Sequence, residues 1–332
     1  MTQEYLEKTE KAELSSKFEK KSIIRWLKFY LTPGWRDPKL SAREHEIGKF
    51  KSKRKKFRRF LTPLTILGFI MILIVVFCAF YAPWLTPYTL KEVTKPTIIP
   101  GGRQFAPPSA DHPLGTTENA YDLLGRLLWG ARTVLTMGFI PVLISVACGL
   151  VIGTISAYFG GTVDAIIMRL CDLVFAFPQL LLVILVIPIL GYEIFWIMLI
   201  FGLLGIPQYV RLMRSSVLLT KHNLYVDAAH AGGADNFKVM FKHIVPNAIS
   251  PILISFFGLM GTAILGFSAI AFLGMSQETR IADWGTDIYY ARGQFNAPWA
   301  AIWPGFFIAI AVIGFMLIGD GLRDALDPRL NK

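Results

Sequence analysis

The chain has 332 residues, of which 54% are hydrophobic, and its formal net charge at pH 7 is +11. Its mean hydropathy of +0.49 is above what a soluble domain of this size shows. The apolar residues are gathered in blocks of about 20, the length that crosses the hydrocarbon core of a bilayer. This composition excludes an ordinary soluble enzyme and predicts a multi-spanning membrane protein.

The three cysteines add no further chemistry. Cys78, Cys148 and Cys171 each lie alone in an apolar segment. Their spacing forms neither a disulfide framework nor a CxxC metal site. They are expected to be small buried apolar residues, and no metal site is predicted.

Residues 1–60 form a basic tail, with 18 Lys or Arg against 8 Asp or Glu. Eight of these basic residues fall between Lys49 and Arg59, directly before the first apolar block. The positive-inside rule therefore places the N-terminus in the cytoplasm. Anionic lipid headgroups are the favoured partner of the tail, and nucleic acid is the disfavoured one. Residues 20–31 have the pattern of an amphipathic helix, which favours a helix in the membrane interface; docking on a partner protein is the alternative.

The apolar blocks predict an all-α membrane protein with six transmembrane helices. The span at 134–157 contains Gly149-x-x-x-Gly153, a motif that allows close helix packing. Residues 86–128 lack a positive bias and are expected outside, whereas Arg211 and Arg214 place the central loop inside. The predicted spans are 61–85, 134–157, 168–190, 194–207 or slightly beyond, 249–273 and 301–322. The predicted parts are the tail 1–60, the first span with its outer loop 61–132, a core 133–323 containing a cytoplasmic loop 207–246, and a cytoplasmic C-terminus 324–332.

A polar, helix-forming stretch, Leu224 to Pro246, interrupts the apolar blocks. Asp227 stands in the first turn of a predicted helix, where the helix dipole favours negative charge. Glycines at 232 and 233 end that helix. Asp235 is positioned to cap a second short helix, which Pro246 closes. The pattern predicts two short helices joined by a turn at the membrane surface; an ordinary connecting loop is the alternative.

This stretch resembles the EAA loop of ABC importer permeases, which reads Glu-Ala-Ala, three residues, Gly, nine residues, Ile, one residue, Leu-Pro. Here Asp227 stands for Glu, His243 for Ile and Val245 for Leu. In that family the loop is a coupling helix that sits in a cleft of the cytoplasmic ATPase subunit. The resemblance implies an ATPase-coupling loop formed by Asp227, Ala228, Ala229, Gly232, Gly233 and Pro246.

Further blocks from about Asp111 to the C-terminus resemble the second, C-type permease of dipeptide, oligopeptide and nickel importers. They include the strings AYFGGTVDAIIMRLCDLVFAFPQLLL, DWGTDI, NAPWAAIWPG and LIGDGLRDALDPRL. The segment before the second span matches only in part, because Thr117 replaces the usual Asp and Ala120-Tyr121 replaces Gly-Arg.

The resemblance implies a type I ABC importer (MetI-like) permease fold in a prokaryotic plasma membrane, with both termini cytoplasmic. The implied partners are a homologous second permease, two cytoplasmic ATPase subunits and an extracytoplasmic solute-binding protein. Short peptides are the expected cargo, with nickel or oligosaccharides as alternatives.

Charged residues near the membrane need partners. Arg169 and Asp172 are one helical turn apart and are expected to pair with each other. A structural pair is favoured over a solute path. Asp122, Arg126 and Arg132 are expected to hold the outer loop together as ion pairs.

No catalytic constellation is visible in the sequence. GxxxxGK[ST] does not occur, so ATP and Mg are expected on partner subunits and no cofactor on this chain. His222, His230 and His243 share the central loop without a metal-binding spacing. An ion-coupled secondary transporter is the alternative, for which inverted repeats and broken midplane helices would be expected. No clear repeat is visible in the sequence, although Pro178 and Pro188 are placed to break a span. A membrane scaffold without transport is the third interpretation.

Overall fold

The computed structural model describes residues 60–94, 103–276 and 281–326. The helix predicted at 20–31, nearly all of the basic tail, and residues 327–332 lie outside the described residues. Within the described ranges the secondary structure is helical, with one isolated bridge between Thr116 and Asp122. The all-α prediction is confirmed for this part of the chain.

Five of the helices are long and apolar enough to cross a membrane, and a bent pair of shorter helices passes the same test together. Counted as one span, the bent pair brings the number to the predicted six. The helices are α1 (Pro63–Leu85), α2 (Leu123–Phe159), α3 (Gly161–Phe175), α4 (Gln179–Leu190), α5 (Ile194–Thr220), α6 (Leu224–Ala231), α7 (Asn236–Lys238), a π-helix (Val239–Ile244), α8 (Val245–Ala248), α9 (Ser250–Phe272), α10 (Trp284–Ala291) and α11 (Trp299–Leu326).

The second span begins earlier than predicted. Helix α2 starts at Leu123 because Asp122 caps it, accepting a hydrogen bond of 2.6 Å from the Gly125 N–H. Arg126 and Arg132 therefore lie on the first turns of a long helix and not in a loop. Likewise, α5 continues past Pro207 to Thr220.

The third span is not continuous. Helices α3 and α4 meet at an angle of 83°. The break falls just before Pro178, and the residue preceding a proline is disfavoured in the helical conformation. Pro188, in contrast, lies inside α4 without a break.

Helices α2 and α5 approach closely through two glycines, as the Gly149-x-x-x-Gly153 motif predicts. A Cβ on Gly149 would collide with the Tyr209 Cβ. A Cβ on Gly153 would lie 2.6 Å from the Val210 carbonyl oxygen. This contact joins the last third of α2 to the middle of α5, and both helices contribute to the main buried cluster.

Helix α10 packs against α9 and α11 at the end of the helix bundle where α2 begins, which is the end predicted to lie outside. Trp284 is fully buried, and its Nε1 donates to the Leu127 carbonyl at 3.1 Å. Gly130 provides the space for that indole, because a Cβ there would lie 2.5 Å from Trp284 Nε1. The outer segment is thus anchored to the start of α2.

Candidate functional site

The predicted coupling loop contains the expected first helix and turn. Helix α6 carries Asp227 in its first turn. Gly233 has a φ of +74°, in the left-handed region that favours glycine. Gly232 precedes it with an ordinary φ of −79°. Of the two predicted glycines, Gly233 therefore makes the turn.

The second half of the loop differs from the prediction. Asp235 does cap α7, accepting a 3.0 Å hydrogen bond from the Lys238 N–H. The helical path then widens into the π-helix and continues through α8, so Pro246 does not close it. Pro246 stands in the first turn of α8, where its missing N–H is tolerated.

The loop presents a mostly exposed surface. Val226 is buried, and Ala229 packs partly against the main core, which fixes the inner face of α6. Ala229, one of the predicted coupling residues, therefore faces the core more than Ala228 does. Among the predicted coupling residues, those exposed on the outer face are Asp227, Ala228, Gly232, Gly233 and Pro246. Two apolar side chains next to them are also open, Leu224 at 85% and Phe237 at 65% exposure.

Tyr158, at the end of α2, holds the loop in place. Its hydroxyl donates to Asn236 Oδ1 at 2.7 Å and lies 3.4 Å from His230 Nε2. The Tyr158 and His230 rings also stack. The sequence analysis did not single out Tyr158, because the residues it contacts are more than 70 positions away.

The predicted pair of Arg169 with Asp172 is replaced by a contact between helices. Asp172 on α3 pairs with Arg211 on α5. Asp164, also on α3, accepts two hydrogen bonds of 2.6 Å from Arg214. The sequence analysis had used both arginines only for orientation. In the structure they bind α3 to α5, and Arg169 lies exposed.

The predicted ion pairs of the outer loop also have different partners. Asp122 caps α2 and lies 3.1 Å from His112 Nδ1. Arg132 Nε donates to the Ala79 carbonyl at 2.6 Å. Arg126 makes the buried ion pair, with 2.6 Å between its Nε and Asp287 Oδ1.

Burial controls the titration of the carboxyls on α10. Desolvation raises the pKa of the Asp287 carboxyl to about 6, although the Arg126 charge opposes the rise. Burial also raises the pKa of Asp283, opposed by hydrogen bonds from the Thr286 hydroxyl and the Gly285 and Thr286 N–H groups. Both carboxyls hold the outer segment together.

A partly open cavity of about 250 Å³ lies between α2, α4, α5 and α9. No prediction named it. The available signal was the occurrence of isolated glutamines, Gln179 and Gln208, inside apolar blocks, since polar groups at membrane depth are costly. The cavity is lined by Pro141, Val142, Ser145, Gln179, Leu180, Phe201, Gly205, Gln208, Tyr209, Leu259, Thr262, Ala263 and Gly266.

A metal-binding cluster is not found in the part of the chain that the structure describes: no three His, Cys, Asp or Glu residues converge there.

Comparison with known families decides the class of this protein. Residues 149–332 match the binding-protein-dependent transport system inner membrane component, which is more than half of the 332 residues. The chain belongs to this permease family. Residues 54–108 of the permease additionally match the N-terminal TM domain of oligopeptide transport permease C. It is a multi-pass C-type ABC permease, a transport component of a class that works with ATPase subunits and binding proteins.

Several curated permeases are similar over most of the chain. The dipeptide transport system permease protein of Alkalihalophilus pseudofirmus is 34% identical over 304 residues, 91% of this chain and 97% of that protein. The glutathione transport system permease protein of Pectobacterium atrosepticum is 34% identical, covering 84% of this chain and 92% of its own. The dipeptide transport system permease protein of Haemophilus influenzae is 36% identical over 268 residues, which are 80% of this chain and 91% of that protein.

Proposed function

We propose that this permease is one of two homologous membrane subunits of an ATP-driven importer of short peptides. Two cytoplasmic ATPase subunits hydrolyse ATP with Mg, and an extracytoplasmic binding protein delivers the solute. The similarity to a dipeptide permease over 91% of the chain carries this proposal. The sequence contains no P-loop, so hydrolysis is assigned to the partners.

The coupling role is assigned to the exposed face of α6 and the turn after it. Asp227 and Ala228 are open to a docking partner, and Tyr158 fixes the loop to the end of α2. A partner that contacts this loop differently in its two nucleotide states would shift the permease between two openings. The intramembrane pairs of α3 with α5 support a structural role for Asp172 over a solute path.

The break before Pro178 is a feature also expected of secondary transporters. Family membership favours the ATP-driven importer over that alternative. Nickel and oligosaccharides are less favoured cargoes, because the similar permeases are those of dipeptide and glutathione systems.

The composition and cargo of the complex are tested together. The chain is purified gently from its native membrane with all retained proteins, which are identified by mass spectrometry. We expect a second permease, two ATPases and a binding protein carrying a short peptide. A chain that is recovered alone and moves solute down an ion gradient in liposomes would refute the importer.

The coupling loop is tested by two variants with matched controls. Ala228→Arg places a charge in the docking face and is expected to reduce ATP-driven uptake at least about tenfold. Gly233→Leu forces a branched side chain into a left-handed turn and is expected to do the same. Ala228→Ser and Gly233→Asn, which keep the small size and the turn, are expected to retain most uptake. Normal uptake by both disruptive variants would reject the coupling assignment.

A further inference from the structure

The cavity between α2, α4, α5 and α9 lies along membrane-length helices, away from the ends of α2, α5 and α9. Ser145 lies well inside α2, and Thr262 is near the middle of α9. Both line the cavity, together with Gln208 from the middle of α5. A solute that crosses the membrane would pass at this depth.

The floor of the cavity holds polar groups with unused hydrogen-bonding capacity. The Tyr209 side chain is 1% exposed, and its hydroxyl has no hydrogen-bond partner within the described residues. Buried hydroxyls are nearly always paired, and this one lies behind the cavity lining with almost no accessible surface. The Ser145 hydroxyl donates to the Gly202 carbonyl at 2.7 Å and still has lone pairs that can accept.

The rim of the cavity is polar and open. Gln179, Gln208 and Thr262 are exposed in this chain. Hydrocarbon cannot satisfy amide groups, so side chains of this kind at membrane depth face a water-filled path or another protein. The rim therefore faces either a water-filled path or the second permease, and not lipid.

The chemistry of the lining restricts the ligand to uncharged groups. Every lining residue is neutral, and most are apolar. A carboxylate or ammonium group would lose its hydration here without gaining a counter-ion, which is strongly unfavourable. A cavity of about 150 Å³ holds benzene, so about 250 Å³ accommodates an apolar side chain and part of an amide.

We propose that this cavity is a subsite for an uncharged side chain of the transported peptide. The rim glutamines hydrogen-bond the peptide's amide, and its charged termini stay outside the cavity. The proposal rests on the peptide cargo proposed above.

Photo-crosslinking in the complete complex tests the subsite. The complex is reconstituted with its binding protein and supplied with ATP and the dipeptide Ala–photo-leucine, whose diazirine lies on an apolar side chain. We expect crosslinks, mapped by mass spectrometry, on the lining residues of α2, α5 and α9. Ala–photo-lysine, whose diazirine side chain is charged, is expected to label them at least about tenfold less.

Two variants sharpen the result. Ala263→Phe fills the cavity and is expected to lower its labelling at least about tenfold, whereas Leu265→Phe, on the exposed side of the same helix, leaves it unchanged.

Uptake of the same dipeptide separates the two proposals. If the wild-type complex imports Ala–photo-leucine but labels only residues outside the cavity, the subsite is rejected and the importer stands. Equal labelling by both dipeptides, or equal labelling of all variants, also rejects it. If the wild-type complex imports no dipeptide, the peptide cargo is rejected, and the subsite with it.

Discussion

Arg126 illustrates how one buried side chain joins three parts of the outer surface. It lies on α2, pairs with Asp287 on α10, and donates through Nη1 to the Val93 carbonyl at 2.6 Å. The other oxygen of Asp287, Oδ2, has no partner within the described residues. Removal of Arg126 would therefore leave a buried carboxylate without a counter-charge.

We expect Arg126→Met to lower the free energy of unfolding by about 3–5 kcal/mol, because an isolated buried charge is costly. Thermal unfolding in detergent measures the loss. Arg132→Met is the matched control, since Arg132 contacts a carbonyl and the Trp129 ring but no carboxylate in the described structure. A loss no larger than that of the control would contradict the importance of the ion pair.

The raised pKa of Asp287 predicts a pH-dependent stability. Between the ordinary value of 3.8 and about 6, the folded chain holds this proton and the unfolded chain has released it. The resulting stabilisation is complete below the unfolded pKa and is lost as the pH rises through the folded pKa. The thermal midpoint of the wild type relative to Asp287→Asn is expected to fall between about pH 4 and pH 6 and to level off above that. A constant difference would show that the pKa of Asp287 is not raised.

The sequence identified these charged residues but not their partners. Asp172 was expected to pair within its own helix, and the structure pairs it with Arg211 on another. Spacing along one helix is visible in a sequence, whereas the neighbour across a helix interface depends on how the two helices pack.

At the scale of helices, the α2–α5 contact is the clearest case in which a sequence motif correctly predicted close helix packing. The motif at Gly149 and Gly153 predicted close packing, and the structure supplies the partner as Tyr209 and Val210 on α5. Small residues let helix backbones approach in a membrane, where packing is a main driving force for association.

Gly149→Ala is expected to destabilise the protein by about 1–3 kcal/mol, because the new methyl group overlaps Tyr209. Gly305→Ala is the matched control within α11, where a Cβ meets nothing within 4 Å. It is expected to be neutral or stabilising, since alanine favours helix over glycine. Thermal midpoints in detergent distinguish the two, and equal midpoints would contradict tight packing at Gly149.

The bent third span and the long second span show that hydropathy alone does not predict where a helix breaks or begins. The block 168–190 was predicted as one span, with Pro178 and Pro188 placed to break it, and the structure divides it just before Pro178. The start of α2 was missed because its first turns are less apolar and are stabilised by the Asp122 cap and by contacts with α10. Apolar content locates spans, whereas caps and tertiary contacts set their ends.

At the scale of the whole molecule, a large apolar surface remains uncovered in the single chain. On α1 alone, Leu73 is 67% exposed, Phe80 70% and Trp84 78%. A surface of this kind is stable only against lipid or another membrane subunit. The six apolar blocks predicted this property without any knowledge of packing.

Orientation is a separate prediction at this scale. Reporter fusions at positions 40 and 222 are expected to be active inside and a fusion at 105 outside, because basic residues flank the inner segments. A reporter at 222 that is active outside would overturn the topology and the coupling role of the loop.

The continuity of α5 has a mechanical consequence. The helix carries Gln208 and Tyr209 at the cavity and ends at Thr220, just before α6. From Tyr209 to Thr220 is about 17 Å along a rigid rod. A tilt of about 10° around the glycine contact displaces the far end by about 3 Å. If a docked partner moves the loop as proposed above, helix α5 would pivot beside the cavity and rotate the cavity wall.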